Sequence, residues 1–220
     1  MSATKASQSV IAIDEAARET AKDGRAFVRV RRELGIQAFG VNASYQAAAG
    51  ERVIGEHDEL NPGAGGHEEL YVVVSGAATF TIDGEETEVP QGSAVLVQPA
   101  SKRSAVATED ETIVLVVGGR PGEAYSISAG EAMGPFFERY NEQDYAGALT
   151  AVKAAFETHP GNALVFYNVA CMESMLGRHD EAISALTEAL AGWPAYKELA
   201  IADDDFAGLR DDPRFQALVA

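Results

Sequence analysis

Histidine and carboxylate side chains crowd one stretch of the sequence, residues 51–69, which is the first candidate for chemistry. The stretch holds His57 and His67 together with six acidic residues, among them Glu59 and Glu69. An imidazole beside two carboxylates is an acceptable ligand set for iron, manganese or zinc. Two neighbouring carboxylates repel each other, so they need either a cation between them or solvent around at least one. The residue types therefore leave open a metal site and a merely acidic surface.

Lys102 and Arg103 stand out as adjacent cations in an acidic chain. Near the mouth of a binding pocket they could hold an anionic ligand, since a guanidinium can grip a carboxylate through two hydrogen bonds. The alternative is ion pairing with surrounding Glu and Asp side chains. Arg103 is accordingly a candidate ligand-binding residue.

Other catalytic signatures are missing from the sequence. It has no Gly-x-Ser-x-Gly nucleophile turn, no phosphate-cradling glycine loop followed by Lys-Ser or Lys-Thr, and no Cys-x-x-Cys pair. The one cysteine, Cys171, lies among apolar residues of a predicted helix, where a small thiol packs rather than reacts. One thiol also forms no internal disulfide, so an oxidising compartment is not implied.

The charge of the chain excludes several classes of partner. The formal net charge is −17, which repels phosphate backbones and anionic lipid surfaces, so we expect neither nucleic-acid nor membrane binding. No apolar run is long enough to span a bilayer. Residues 1–10 are rich in Ser, Ala and Thr and lack a hydrophobic secretory segment, so a cytoplasmic location is expected.

Short apolar runs separated by glycine turns predict an antiparallel β structure before Gly122. Leu70–Val74 is apolar throughout and suits a buried strand, while Ala78, Phe80 and Ile82 alternate with threonines. Asp83-Gly84 is a strong tight-hairpin signal. Further strands are predicted at 10–13, 27–30, 39–46, 86–89, 94–97, 104–107 and 112–117. Short strands at even spacing are typical of a β-sandwich or jelly-roll barrel.

Residues 27–117 resemble the cupin family. The clearest match is Glu68 to Gly76, where a glutamate, an apolar strand and a glycine follow the family's spacing from Glu69 onward. The segment 99–104 is similar to the second cupin motif. The resemblance implies a barrel pocket, with Tyr71 and Phe80 as candidate ligand-binding residues, and a metal ligand at Glu69.

The sequence departs from the cupin metal pattern at three ligands. The family's His-x-His pair is missing before Glu69, and Ser104 stands where the third histidine is expected. His57-x-Glu59 can replace the pair if residues 61–66 are an inserted loop, because residues two apart on a strand face the same side. His67 is a fourth candidate ligand. The resemblance thus implies an iron, manganese or zinc site at His57, Glu59, His67 and Glu69, or a barrel that has lost its metal.

The last third of the chain repeats itself with a period of 34 residues. Residues 148, 152, 155 and 160 recur in type at 182, 186, 189 and 194. This period is that of tetratricopeptide repeats, which such residues resemble and which present a groove to another chain. Residues 206–218 carry apolar side chains that would cap the array. The resemblance implies a protein partner, although the helices could instead pack on the β domain or on a second copy.

Together these patterns predict an α+β protein of two domains. A cupin-like jelly-roll domain is expected at 1–122, with 1–9 as a disordered tail, and a helical domain with a terminal cap at 130–220. The breaker-rich segment 118–122 separates them.

The leading functional hypothesis is a non-catalytic binding or regulatory protein with a pocket for a small molecule, helices for protein contact and no cofactor. This hypothesis depends on the expectation that the candidate imidazole and carboxylate groups are too scattered to complete a metal cage. The alternative is a metal-dependent cupin enzyme, of oxygenase, isomerase or hydrolase type. A homodimer is expected in either case, and a third possibility is a structural dimer whose pocket is filled by its own side chains.

Overall fold

The computed structural model describes residues 9–14, 19–20 and 25–220 of the chain. The predicted tail at 1–9 lies, except for residue 9, outside these residues. The strand predicted at 10–13 is wrong, since those residues have no strand hydrogen bonding. Two compact units are present. One runs to Asn61 and resumes over Gly65–Ser126, and the other comprises Pro62–Ala64 and Ile127–Ala220.

Two antiparallel sheets build the first unit. Among the described residues one sheet has the strand order β1-β2-β3-β10-β5-β8 and the other β4-β9-β6-β7. The strands are β1 (Glu19–Thr20), β2 (Ala26–Val28), β3 (Gly40–Gln46), β4 (Arg52–His57), β5 (Glu68–Ser75), β6 (Ala77–Ile82), β7 (Glu85–Pro90), β8 (Ala94–Val97), β9 (Arg103–Ala107) and β10 (Thr112–Gly119). A short helix, α1 (Val30–Leu34), follows β2.

Strand β5 shows how the sheets enclose their core. Tyr71 and Val73 are buried, while Leu70 and Val74 on the opposite face are partly exposed, as the two-residue period of a strand requires. The inward residues pack against the second sheet, where Phe80 of β6 lies 5.4 Å from Tyr71 between ring centroids. The core of this unit is therefore an apolar layer between two sheets, as the predicted sandwich requires.

The sequence predicts the Asp83-Gly84 hairpin correctly, but it is less accurate for the first strands. Asp83 and Gly84 both have positive φ in the turn between β6 and β7, as expected for a tight hairpin. The strand predicted at 27–30 is wrong beyond Val28, because Val30 begins α1. Strand β4 was predicted only around His57 and Glu59, and its extent over Arg52–His57 was missed, since Gly55 and Glu56 interrupt its apolar run.

The second unit is helical. Its α-helices are α2 (Ala129–Ala132), α3 (Gly134–Asn141), α4 (Tyr145–Ala154), α5 (Ala163–Met175), α6 (His179–Gly192), α7 (Tyr196–Ala202) and α8 (Pro213–Val219), with short 3-10 helices at Ala155–Glu157 and Asp204–Leu209. None of the helices in the described residues has the length and apolarity needed to cross a membrane. Side chains of Ser128, Asp144 and Asn162 cap three of the helices. The tetratricopeptide character of these helices remains a prediction.

The helical unit has its own core, which includes Cys171. The thiol is 2 % exposed, with Leu186 and Phe206 fully buried in the same cluster, so the prediction that Cys171 packs in the core is confirmed. Two carboxylates border this core. Tyr167 Oη donates to Asp203 Oδ2 at 2.9 Å, and Tyr140 Oη donates to Asp205 Oδ1 at 2.9 Å.

Gly76 and Gly84 offer a matched test of the β unit. Both have positive φ, but a Cβ at Gly76 would lie 2.4 Å from Thr112 Oγ1, whereas a Cβ at Gly84 would meet nothing within 4 Å. Gly84→Ala should cost about 1 kcal/mol through backbone strain, and Gly76→Ala about 2–4 kcal/mol because overpacking is added. Calorimetric unfolding of the two variants checks this; equal losses would contradict the described contact.

The carboxyl group of Asp205, at the border of the helical core, predicts that the stability of the helical unit depends on pH. Burial, reinforced by the charge of Asp203, raises the pKa of Asp205 above its ordinary value. The folded state therefore holds this proton more tightly, and the stability it contributes is present below about pH 4 and is lost as the pH rises through the folded pKa. Asp205→Asn should flatten this decline. The neighbouring Asp204→Asn, whose carboxylate is 95 % exposed, should not.

Denaturant unfolding followed by the fluorescence of Trp193, the single tryptophan, reports on the helical unit. The same slope of stability against pH in Asp205→Asn and in the unaltered protein would show that this carboxyl group is not responsible.

Candidate metal centre

His57 is the last residue of β4, and a backbone contact fixes its ring. Its Nδ1 lies 2.8 Å from the carbonyl oxygen of Gly55. A carbonyl only accepts a hydrogen bond, so Nδ1 carries the proton and Nε2 is left to face the two nearby carboxylates. Nε2 lies 3.6 Å from Glu69 Oε2 and 3.9 Å from Glu59 Oε1. A backbone bond to the far nitrogen is the usual way in which proteins orient a metal-binding histidine.

Glu59 reaches the same place by a route that the sequence did not predict. We expected His57 and Glu59 on one face of a strand, but β4 ends at His57 and Glu59 lies in the loop that follows. The Glu59 backbone N–H donates to the carbonyl of Pro99 at 2.9 Å. Its carboxylate accepts from the N–H of Gly65 at 3.0 Å and from that of His67 at 3.5 Å. A folded loop, rather than strand alternation, therefore positions this side chain.

Glu69 is the acid of the group whose carboxylate contacts the most side chains. It lies near the start of β5, two residues before Tyr71 and on the same inward face. Tyr71 Oη donates a short hydrogen bond to Glu69 Oε2, and Arg103 Nη2 lies 3.3 Å from the same oxygen. The carboxylate side chain is 14 % exposed. Tyr71, Arg103 and the nearby His57 thus together compensate the charge of this largely buried carboxylate.

Arg103 corrects two expectations about the second motif. We expected it near the barrel mouth and Ser104 in the place of the third histidine, yet Arg103 is fully buried. It pairs across the sheet with His57, and directly opposed residues share a face. Its Nη1 donates to the carbonyl of Ser101 at 3.0 Å, while Nε and Nη2 make no hydrogen bond within the described part of the chain. A guanidinium thus faces the site from β9, and Ser104, the next residue, lies on the opposite face of the strand.

The remaining predicted site residues are divided between the cluster and the core. Tyr71 contacts Glu69, but Phe80 is fully buried against the Tyr71 ring and does not line the adjoining cavity. His67 is buried, with its ring 5.6 Å from that of Tyr125 between centroids, and it does not join the ligand cluster. Lys102 is exposed and pairs with Glu56 at 2.9 Å, which is the ion-pairing alternative foreseen for it.

The three ligand candidates converge. One ligand atom from each of His57, Glu59 and Glu69 lies within 4.8 Å of the others. The expectation that these groups are scattered is therefore wrong for three of the four residues, and right for His67. An imidazole nitrogen and two carboxylate oxygens at this spacing suit one divalent cation with open coordination positions. The fixed tautomer of His57 and the preset carboxylates fit such an ion.

The same cluster is also electrically coupled without a cation. Burial lowers the pKa of His57, but the hydrogen bond and charge of Glu69 outweigh it, so the pKa lies above its ordinary value. Burial raises the pKa of Glu69, but His57 and Tyr71 outweigh it, so the pKa lies below its ordinary value. Burial and the Glu69 charge raise the pKa of Tyr71 far above its usual range. Tyr71 is therefore a neutral donor at physiological pH.

A cavity of about 180 Å³ adjoins the cluster and brings in residues that the sequence analysis missed. His57, Glu69 and Tyr71 form part of its wall, together with Arg25 and Arg29. From the sequence we expected a strand at 27–30 and no site residue there, but Arg25, Phe27 and Arg29 all line the cavity. The signal was the alternation itself, because residues 25, 27 and 29 share one face.

A second group of potential ligands lies in the helical unit, at Cys171, Asp203 and Asp205. Burial raises the pKa of the Cys171 thiol, which opposes the thiolate form that metals bind. Asp203 also caps the 3-10 helix at Asp204–Leu209, and both carboxylates accept from tyrosines. These contacts account for the group as part of the helical core.

Comparison with known proteins agrees with the geometry of the barrel. Residues 56–119 match the family described as cupin domain. That segment contains His57, Glu59 and Glu69, and its strands lie in the two antiparallel sheets. Residues 56–119 form a cupin domain. The match spans less than a third of the 220 residues, and no curated protein matches the chain.

Several solved structures are similar to the chain over about half its length. A cupin protein from Bacteroides fragilis is 26 % identical, with 50 % of this chain and 90 % of that chain covered and a TM-score of 0.35. KdgF from Halomonas sp. is 17 % identical, with 53 % and 97 % covered and a TM-score of 0.40. A Cupin 2 conserved barrel domain protein from Salinispora arenicola is 19 % identical, with 53 % and 92 % covered and a TM-score of 0.43.

The contact between Glu69 and Arg103 should be energetically coupled. Removing one partner of a buried pair leaves the other charge uncompensated, so Glu69→Gln and Arg103→Met should each destabilise the cupin domain. The double variant should lose less than the sum, with a coupling energy of about 1–3 kcal/mol. Denaturant unfolding in the presence of a chelator measures the cycle.

The exposed pair Glu56–Lys102 is the matched control, since solvent screens it. A cycle of Glu56→Gln and Lys102→Met should give no measurable coupling. Equal coupling in the two cycles would contradict the described enclosure of Glu69.

Proposed function

We propose that the cupin domain binds one divalent metal ion through His57 Nε2, Glu59 and Glu69, and that it is a metal-dependent enzyme acting on a small molecule in the adjoining cavity. The convergence of these three ligand atoms within 4.8 Å carries the proposal. Iron, manganese and zinc all suit the donor set. Three protein ligands leave positions open for a substrate or water, as in catalytic metal sites.

The protein groups around the ligands have separate tasks in this proposal. The Gly55 carbonyl holds the His57 ring with Nε2 toward the carboxylates. The loop N–H of Gly65 holds Glu59, while Tyr71 holds Glu69. A bound divalent ion would supply Lewis acidity or lower the pKa of a water, the chemistry shared by oxygenases, isomerases and hydrolases of this kind.

Arg103 adjusts the charge of the site. Its guanidinium lies 3.3 Å from Glu69, so it offsets one of the two carboxylate charges that a cation would otherwise neutralise. It also keeps Glu69 ionised, and hence ready to bind a cation, at lower pH than an ordinary carboxyl group. This positive group is a reason for modest metal affinity and for a substrate that brings negative charge of its own.

The same arginine favours a second candidate function, a metal-free binding or regulatory protein. Protonated His57 and Arg103 together balance Glu59 and Glu69, so the cluster needs no ion to be neutral. The pocket would then bind a small molecule, and the helical unit would contact a protein partner or a second copy in the cytoplasm. The partner, the homodimer and the location rest on the sequence patterns described above.

Metal analysis of the purified full chain separates the two functions. After incubation with iron, manganese or zinc and removal of excess metal, the first proposal predicts about one ion per chain. Glu69→Gln should reduce the number of ions retained per chain at least tenfold, because a charged ligand is lost. The adjacent Glu68→Gln is the control, since Glu68 does not belong to the ligand cluster. Folded protein that takes up no metal would overturn the first function and favour the second.

A further inference from the structure

The cavity beside the candidate metal centre has polar walls of a particular kind. Besides His57 and Glu69 it is lined by Arg25, Arg29 and Asn42. Cations and an amide in one small cavity are suited to an oxyanion that also carries a hydrogen-bond donor.

The Arg25 side chain lies close to both Phe27 and Gly55. Its guanidinium carbon lies 5.3 Å from the centre of the Phe27 ring, within the range of an arginine over an aromatic face. At Gly55 an added Cβ would lie 2.5 Å from Arg25 Nη1. A residue without a side chain at 55 therefore leaves room for this guanidinium two positions before His57.

Asn42 presents an acceptor to the cavity. Its side-chain Oδ1 is buried and has no hydrogen-bond partner within the described residues, although Asn42 lines the cavity wall. A buried acceptor without a partner costs free energy, so a bound donor would recover that cost. A hydroxyl or ammonium group of a ligand supplies such a donor.

The volume of the cavity suits a small ligand. At about 180 Å³ it has space for several water molecules. A carboxylic acid of two to four carbons fits this space. A planar carboxylate also matches the fork of a guanidinium.

We propose that this cavity binds a small hydroxycarboxylate, with its carboxylate on Arg25 and Arg29 and its hydroxyl donating to Asn42 Oδ1. The proposal names the substrate class of the site described above and rests on that proposed function for its catalytic meaning. Gly55 is then a specificity-determining position, because it makes room for Arg25.

Calorimetric titration of the full chain with glycolate tests the proposal, with acetate as the ligand that lacks the hydroxyl. Glycolate should bind about fivefold or more tightly than acetate, because acetate leaves Asn42 unpaired. Arg25→Gln and Arg29→Gln should each weaken glycolate binding at least tenfold, the usual loss for a charge-assisted contact. Gly55→Ala should also weaken it, and Asn42→Ala should remove the preference for glycolate over acetate.

Arg52→Gln is the matched control, since Arg52 is an exposed arginine of β4 that does not line the cavity. Its glycolate affinity should equal that of the unaltered chain. If Arg25→Gln and Arg29→Gln bind glycolate as well as Arg52→Gln does, or if no variant and not even the unaltered chain binds it, the proposal is overturned.

Titrations of chelator-treated and of zinc-incubated protein separate this proposal from the metal. Arginine-dependent glycolate binding in chain that takes up neither iron nor manganese nor zinc would support the cavity and refute the metal function. If the chain takes up zinc and Arg25→Gln and Arg29→Gln bind glycolate as tightly as the unaltered chain, the metal function is retained and the cavity proposal is refuted.

Discussion

The enclosed carboxylate of Glu69 is the group around which this end of the barrel is arranged. A carboxylate removed from water loses much of its hydration, and the protein must replace it with charge or hydrogen bonds. Tyr71, His57 and Arg103 come from three strands, and each directs a donor or a positive charge at the same carboxylate. These contacts let the interior between the two sheets hold a charged group.

The two proposed functions correspond to two electrical states of the site. In one, protonated His57 faces the two carboxylates; in the other, which the proposed metal function requires, a divalent ion would take the place of that proton. Arg103 is common to both, since its burial fixes it beside Glu69. The choice between an enzyme and a binding protein therefore depends on competition between a proton and a cation at His57 Nε2.

Sequence reasoning reached the parts of this structure that depend on local pattern. The apolar run after Glu69, the Asp83-Gly84 hairpin and helices such as α5 follow from periodicity and turn chemistry. Glu59 could not be placed that way, because a loop contact to Pro99 and not a strand brings it to His57. We expected the third ligand position of the second motif at Ser104, but the residue of β9 that faces the site is Arg103, one position earlier. A shift of one position on a strand moves a side chain from the exterior to the interior.

The cavity arginines show a different limit of sequence reasoning. Arginines at 25 and 29 on either side of Phe27 are typical of a strand face that meets solvent, since arginine is rarely buried. Their proximity to His57 depends on Gly55 of β4, a strand whose extent the sequence pattern did not indicate. Long-range register determines such contacts, and a single sequence carries little information about register.

Diffraction from crystals soaked in zinc, recorded at the zinc absorption edge, tests the central claim most directly. The account predicts an anomalous peak about 2.0–2.2 Å from His57 Nε2 and from one oxygen each of Glu59 and Glu69. A crystal in which His57 and Arg103 both bind Glu69, with no peak between the three residues, would contradict it.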